Sequence, residues 1–184
     1  MNGQGKPHAP RANGRRLMTI LATLSAFANA AWAAPVADTP SGLPVPRYVS
    51  LKFQTVNARV GPGDDHRLLW IYHARGLPVQ VVAESSECRR ICDPDGSLAW
   101  VHKRTLDASR TVIRTALPPL ALQGGDRTSA RVVAFLRSRA IASLTKCDEK
   151  GWCRVKVDGV SGWIPRPEVW GLDAHPQCGT VLRP

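Results

Sequence analysis

Val56-Asn57-Ala58-Arg59-Val60-Gly61-Pro62-Gly63, closed downstream by Ala99-Trp100-Val101, is the stretch that decides the fold, because it frames a pattern that the chain runs through twice. A constant shift of 64 positions lays Arg67-Leu68-Leu69 on Arg131-Val132-Val133, Leu77 on Ile141, Cys88 on Trp152 and Arg90-Ile91 on Arg154-Val155. One deleted residue then makes the shift 63, and Trp100-Val101 falls on Trp163-Ile164. An offset held that long means two copies of one small unit, and a repeat settles architecture before any local propensity does.

Within each copy the pattern is one of short strands. Tyr48-Val49-Ser50-Leu51, Val56 to Val60, Leu68 to Tyr72, Leu77 to Val82, Cys88 to Cys92 and Ala99 to His102 are apolar or alternating runs. Gly61-Pro62-Gly63, Gly76 and Asp93-Pro94-Asp95-Gly96 punctuate them with turn chemistry. The second copy opens at Thr111-Val112-Ile113 and continues through Leu120-Ala121-Leu122, Val132 to Leu136, Ile141 to Thr145, Trp152 to Val157 and Gly162-Trp163-Ile164. Arg131 to Arg139 is the best helix candidate, but the repeat assigns it to a strand. The reading is all-β: two small barrels in tandem, residues 48–107 and 110–171, followed by a tail at 172–184. Units of this size are marginal alone, and the spacer between them is short, so they are expected to share buried surface.

The N-terminus has a different character. The formal charge of the chain is +11, and Lys6, Arg11, Arg15 and Arg16 all precede the first acid, Asp38. An apolar run from Leu17 to Ala31 follows, and Ala31-Trp32-Ala33 offers small residues where a signal peptidase reads. Residues 1–33 are therefore expected to be a signal peptide cleaved after Ala33. The run is short and diluted for a membrane span. The Arg15-Arg16 pair also fits a twin-arginine signal, although adjacent arginines occur in many basic segments. Residues 34–47 carry Pro35, Pro40, Pro44 and Pro46 and read as a linker. The mature chain is expected to be soluble and periplasmic or secreted.

Export permits disulfides, and all five cysteines lie in the mature part. Cys147 and Cys153 flank the turn Asp148-Glu149-Lys150-Gly151, so paired strands bring them within bonding distance. Cys88 and Cys92 cannot bond each other along one extended strand, about 13 Å apart. Either is left to pair with Cys178, and one cysteine stays free or bonds another molecule. No metal-ligand spacing surrounds these cysteines.

The ordered motifs resemble the bacterial SH3-like (SH3b) domain family. That family has an L-N-V-R-x-G-P-x start, a G-W-x-x-V middle and a G-W-V end. The start is Val56-Asn57-Ala58-Arg59-Val60-Gly61-Pro62-Gly63. The middle is Gly151-Trp152-Cys153-Arg154-Val155, and the end is Gly162-Trp163-Ile164. Copy one has Cys88 for the middle Trp and Ala99 for the final Gly, and copy two has lost the Asn-x-Arg-x-Gly-Pro start. The resemblance implies SH3-like barrels that bind rather than catalyse, with a cell-wall peptide or an envelope protein as partner and no cofactor.

Candidate ligand-binding residues cluster in copy one. Arg59 is a carboxylate anchor or, structurally, a partner for Asp64, with Asn57 bracing the turn. Trp70, Tyr72 and Trp100 are expected to line a shallow groove beside the loop that carries Asp64 and His66, because aromatic platforms suit peptide and sugar ligands. Trp100 and Trp163 also read as core, and Trp70 as the aromatic most suited to the surface. Two other functions stay open. One is a scaffold that meets a periplasmic partner through barrel faces or the unpaired cysteine. The other is a Cys-dependent cell-wall hydrolase using one of His66, His73, His102 or His175, which needs a base within reach of the thiol. The remaining arginines are scattered, as on a solvated face, and an exported protein makes nucleic acid an unsuitable partner.

Overall fold

The computed structural model describes residues 39–173 together with residues 3, 175, 177 and 178. Of the expected signal peptide only Gly3 falls among these, so that segment and its cleavage point lie outside the described residues, as do 34–38 of the linker.

Two antiparallel sheets form, and no α-helix occurs among the described residues. The first unit contains β1 (Arg47–Leu51), β2 (Val56–Arg59), β3 (Leu68–Tyr72), β4 (Pro78–Glu84), β5 (Cys88–Cys92), β6 (Leu98–His102) and the two-residue β7 (Leu106–Asp107). They pair in the order β3-β2-β6-β5-β4-β1-β7. The second contains β8 (Thr111–Ile113), β9 (Leu120–Gln123), β10 (Val132–Leu136), β11 (Ile141–Cys147), β12 (Trp152–Val157) and β13 (Val160–Pro165), ordered β10-β9-β13-β12-β11-β8. Single 3-10 turns follow β6 and β13. Arg131 to Arg139 is thus centred on a strand, as the repeat required.

Register shows the duplication more sharply than sequence does. Val56↔Tyr72, Asn57↔Ile71 and Ala58↔Trp70 recur as Leu120↔Leu136, Ala121↔Phe135 and Leu122↔Ala134, each partner displaced by 64. The bulge after Ala58 recurs after Leu122. Arg59↔Trp100 recurs as Gln123↔Trp163, where the deleted residue makes the second displacement 63.

Strand alternation builds each core, since successive side chains point to opposite faces. Ala99 and Val101 of β6 are buried with Val56, Ala58, Val79, Val81 and Ile91. Leu122, Leu136, Ala142, Val155 and Ile164 form the second core. Gly162 is required there: a Cβ would stand 2.8 Å from Leu122 Cβ and 3.2 Å from the Gln123 carbonyl.

The cores meet through β8. Val112 is wholly buried in the second, whereas the next residue, Ile113, is buried in the first. Trp170 exchanges two backbone hydrogen bonds with Ile113 (3.0 and 2.9 Å) and packs edge-on to Tyr48 of β1, ring centroids 5.0 Å apart. Thr111 Oγ1 donates to the Gly76 carbonyl at 2.7 Å and lies 2.7 Å from Ser50 Oγ. The short spacer does bring the units into contact.

Two straps tie the ends to the first unit. Ahead of β1, Val45 packs on its core, and the Ser41 N–H donates to Glu84 Oε2 at 3.0 Å. At the other end Cys92 is bonded to Cys178. Gln80, wholly buried, donates from Nε2 to the His175 carbonyl and accepts at Oε1 from the Gln177 N–H, both at 2.8 Å. Cys147 and Cys153 are directly opposed in the β11–β12 ladder and joined. Cys88 is the free cysteine, and it is buried.

Candidate functional site

Strand alternation after the buried Ala58 turns Arg59 away from the core, on the face of Asn57 and opposite Trp100. Its guanidinium is partly committed. Nη1 donates to the His66 carbonyl at 2.8 Å, and Nε lies 3.6 Å from Asp64 Oδ1. The loop that begins at Gly61 is thereby held across the end of β2, helped by the Val60 N–H donating to the Arg67 carbonyl at 3.1 Å. Between this loop and the end of β6 lies a groove of about 210 Å³. Asn57, Arg59, Asp64, Trp100, His102 and Arg104 line it, with Cys88 among the remaining wall residues.

Of the aromatic set, only Trp100 is in the groove. Ala99 and Val101 face the core, so the period of two turns Trp100 outward, where it is half-buried. The expectation of a core Trp100 is corrected by that alternation, and half-buried Trp163 follows the same rule with Lys146 Nζ 5.7 Å from its ring centroid. Trp70 moves the other way. It stands opposite Ala58, whose side chain is wholly buried, and opposed residues share a face. Trp70 therefore packs partly buried on the first core, edge-on to Tyr72 at 5.9 Å, and is not a groove residue.

Tyr72 is likewise a core residue. Its hydroxyl donates to Asp93 Oδ2 at 2.9 Å, while Asp93 Oδ1 accepts from the Asp95 and Ser97 N–H groups. Burial, and then the Asp93 carboxylate, push the Tyr72 hydroxyl pKa far above its usual value. Its work is to pin the Asp93–Gly96 turn. His66 is not among the groove residues either. Its ring lies against Gly61, where a Cβ would be 2.0 Å from His66 Cδ2, and its Nδ1 is 3.2 Å from Asp65 Oδ1. Asn57 is exposed on the groove instead of bracing the turn, a task performed by Arg59.

Sequence reading missed the pairing of Cys88 with His102 across β5 and β6. The signal was present in the fixed hairpin register of two strands around Asp93-Pro94-Asp95-Gly96. Both residues line the groove, and His102 Nε2 is 3.8 Å from Glu87 Oε2. The order of groups suggests thiol, imidazole and carboxylate, but the electrostatics oppose a nucleophile. Burial, then the carboxylates of Asp64 and Glu87, push the Cys88 thiol pKa up, and the reactive species is the thiolate. Among the described residues no group of three or more His, Cys, Asp or Glu side chains is placed to hold a metal ion.

The second unit does not keep this chemistry. At the positions of Arg59, Cys88, Trp100 and His102 it has Gln123, Trp152, Trp163 and Pro165. The guanidinium, the thiol and the imidazole are gone, and only the outward Trp persists.

No curated protein matches the chain. Among solved structures it is similar to NlpC2 from Trichomonas vaginalis, at 9% identity over 67% of this chain and 47% of that one, with a TM-score of 0.30. It is similar also to NlpC1 from the same organism, at 11% identity over 68% and 45%, with a TM-score of 0.31. The chain spans less than half the length of either. The family model described as Bacterial SH3 domain matches residues 52–108 and again 121–171, one match for each unit. With more than half its length matched in two tandem copies, the chain belongs to the bacterial SH3 domain family.

Proposed function

We propose that this chain is a non-catalytic periplasmic binding protein whose first unit holds a cell-wall peptide in the groove between Asp64 and Trp100. Bacterial SH3 domains are in general binding modules. The observation that carries the reading is the coincidence, in one groove, of an aromatic face and two guanidinium-bearing side chains. Trp100 offers contact area at low entropic cost. Arg104, and Arg59 once Asp64 yields, offer paired donors to a carboxylate. The Arg59–Asp64 contact is long at 3.6 Å, and Asp64 is 76% exposed, so an incoming carboxylate has little to displace. Peptide stems of the cell wall present carboxylates at this scale.

The scaffold alternative draws less support, because the one free cysteine is buried and held as a thiol, which disfavours a mixed disulfide with a partner. The hydrolase alternative meets the same obstacle. The test is co-sedimentation of the mature protein with purified sacculi. Recovery above that of a charge-matched control protein, lost in Trp100→Ala, is expected. Recovery equal to the control refutes the cell-wall ligand.

A further inference from the structure

A second surface, independent of the groove, is marked by a coincidence between the copies. β3 and β10 each end their ladder, so each presents one unpaired backbone edge. Their burial runs are identical: exposed, half-buried, half-buried, exposed, buried. The exposed positions are apolar in both copies, Leu68 and Ile71 at 40% each, and Val132 at 43% and Phe135 at 64%. Packing does not require apolar side chains at exposed positions, and an open edge with apolar residues is a template for another strand.

Charge distinguishes the two edges. Arg67 before β3 has Asp64 and Asp65 beside it in the loop. The matching loop before β10 carries Arg127 and Arg131, and its one acid, Asp126, is engaged by Lys150 at 3.0 Å. Arg137 follows the strand directly. Among the described residues Arg127, Arg131 and Arg137 are in none of the salt bridges. Beside the start of β10 lies an open cleft of about 520 Å³, lined by Gly124, Gly125, Arg127, Ser129, Arg131 and Ser161.

We propose that the β10 edge is a docking site for an extended acidic peptide segment, which adds to the sheet as a strand. Main-chain hydrogen bonds supply affinity in this mode, and side chains at alternate positions supply specificity. Apolar side chains of the segment lie on Val132 and Phe135, and its carboxylates reach Arg127, Arg131 and Arg137. A second copy of the chain is the wrong occupant. Antiparallel pairing of two β10 edges centred on Ala134 sets Arg131 of one against Arg137 of the other, and like charges so placed are repulsive.

The test is fluorescence anisotropy with a labelled peptide of alternating glutamate and valine, added to the mature protein. Saturable binding is expected, weakened roughly tenfold or more by Phe135→Ser and by Arg131→Glu, the scale of a lost central contact. Trp100→Ala leaves it unchanged, which separates this site from the groove. N-methylation of alternate peptide nitrogens abolishes it, because the added strand loses its donors. Equal binding of a control peptide with lysine in place of each glutamate, equal binding of the N-methylated peptide, or indifference to both substitutions overturns the proposal. So does sedimentation that shows a dimer dissolved by Phe135→Ser, which would assign the edge to self-association.

Discussion

Arg139 of the second unit grips Asp95 of the first through two parallel hydrogen bonds, 2.7 and 3.0 Å long. The pair is conspicuous but exposed on both sides, at 53% and 61%. Exposed ion pairs contribute about 0–1 kcal/mol. Ile113, the last residue of β8, is 1% exposed in the neighbour's core. Truncating a buried Ile to Ala costs about 2–5 kcal/mol. Urea denaturation is therefore expected to show Arg139→Ala within about 1 kcal/mol of wild type and Ile113→Ala well below it. The reverse ranking would mean that the units are held by charge and not by β8.

The two disulfides differ in the loop they close. Cys92–Cys178 spans 86 positions and Cys147–Cys153 spans six. The chain-entropy model gives about 4.5 kcal/mol for the first loop and about 2 for the second. Cys92→Ala/Cys178→Ala is expected to lose more stability than Cys147→Ala/Cys153→Ala. It also frees the tail from Gln80, so chymotrypsin cleavage after Leu172 should accelerate only in the first double variant.

Glu84 sets the acid sensitivity of the N-terminal strap. Its burial alone would raise its pKa, but hydrogen bonds from Ser41 and Arg47 outweigh this and hold it below the usual value. Arg89 Nε adds a contact at 3.0 Å. A carboxylate with a lowered folded pKa contributes stability above its ordinary pKa of about 4.3 and loses it as pH falls through the folded value. Wild-type stability is expected to drop in that acidic window. Glu84→Gln should be less stable at neutral pH and show a shallower acid slope, measured by urea midpoints across the window.

Cys88 should behave as an inert thiol. With four of five cysteines bonded, one reactive group per chain is expected after unfolding. Native protein at neutral pH should react with a disulfide reagent far more slowly than the unfolded chain, because burial disfavours the thiolate. Fast labelling of the native thiol would reopen a catalytic or redox role for the Cys88–His102 pair.

Much of this architecture was legible because the repeat carried the strands of one copy onto the other and assigned residues 131–139 to a strand, whereas strand order and the bulges came only with the structure. The groove was less legible. Arg59, Asp64 and Trp100 line it, whereas Trp70, Tyr72 and His66 are near them in sequence and lie outside it. Facing depends on register, and register depends on where a bulge falls. Pairing with buried Ala58 puts Trp70 on the core side, and alternation puts Arg59 on the groove side. Nor does sequence say that β8 serves two cores, since Val112 and Ile113 are equally apolar. Gln80, a polar residue between Val79 and Val81, was the visible trace of the tail strap, yet its partners lie almost a hundred positions away.

The central claim is that ligand recognition belongs to the Arg59–Trp100 groove of the first unit. Amide and indole chemical-shift mapping during titration with a soluble muropeptide tests it most directly. Shifts concentrated at Asn57, Arg59, Trp100 and His102, and absent from Trp100→Ala, are expected. Shifts centred on the second unit, or none at saturating ligand, would contradict the account.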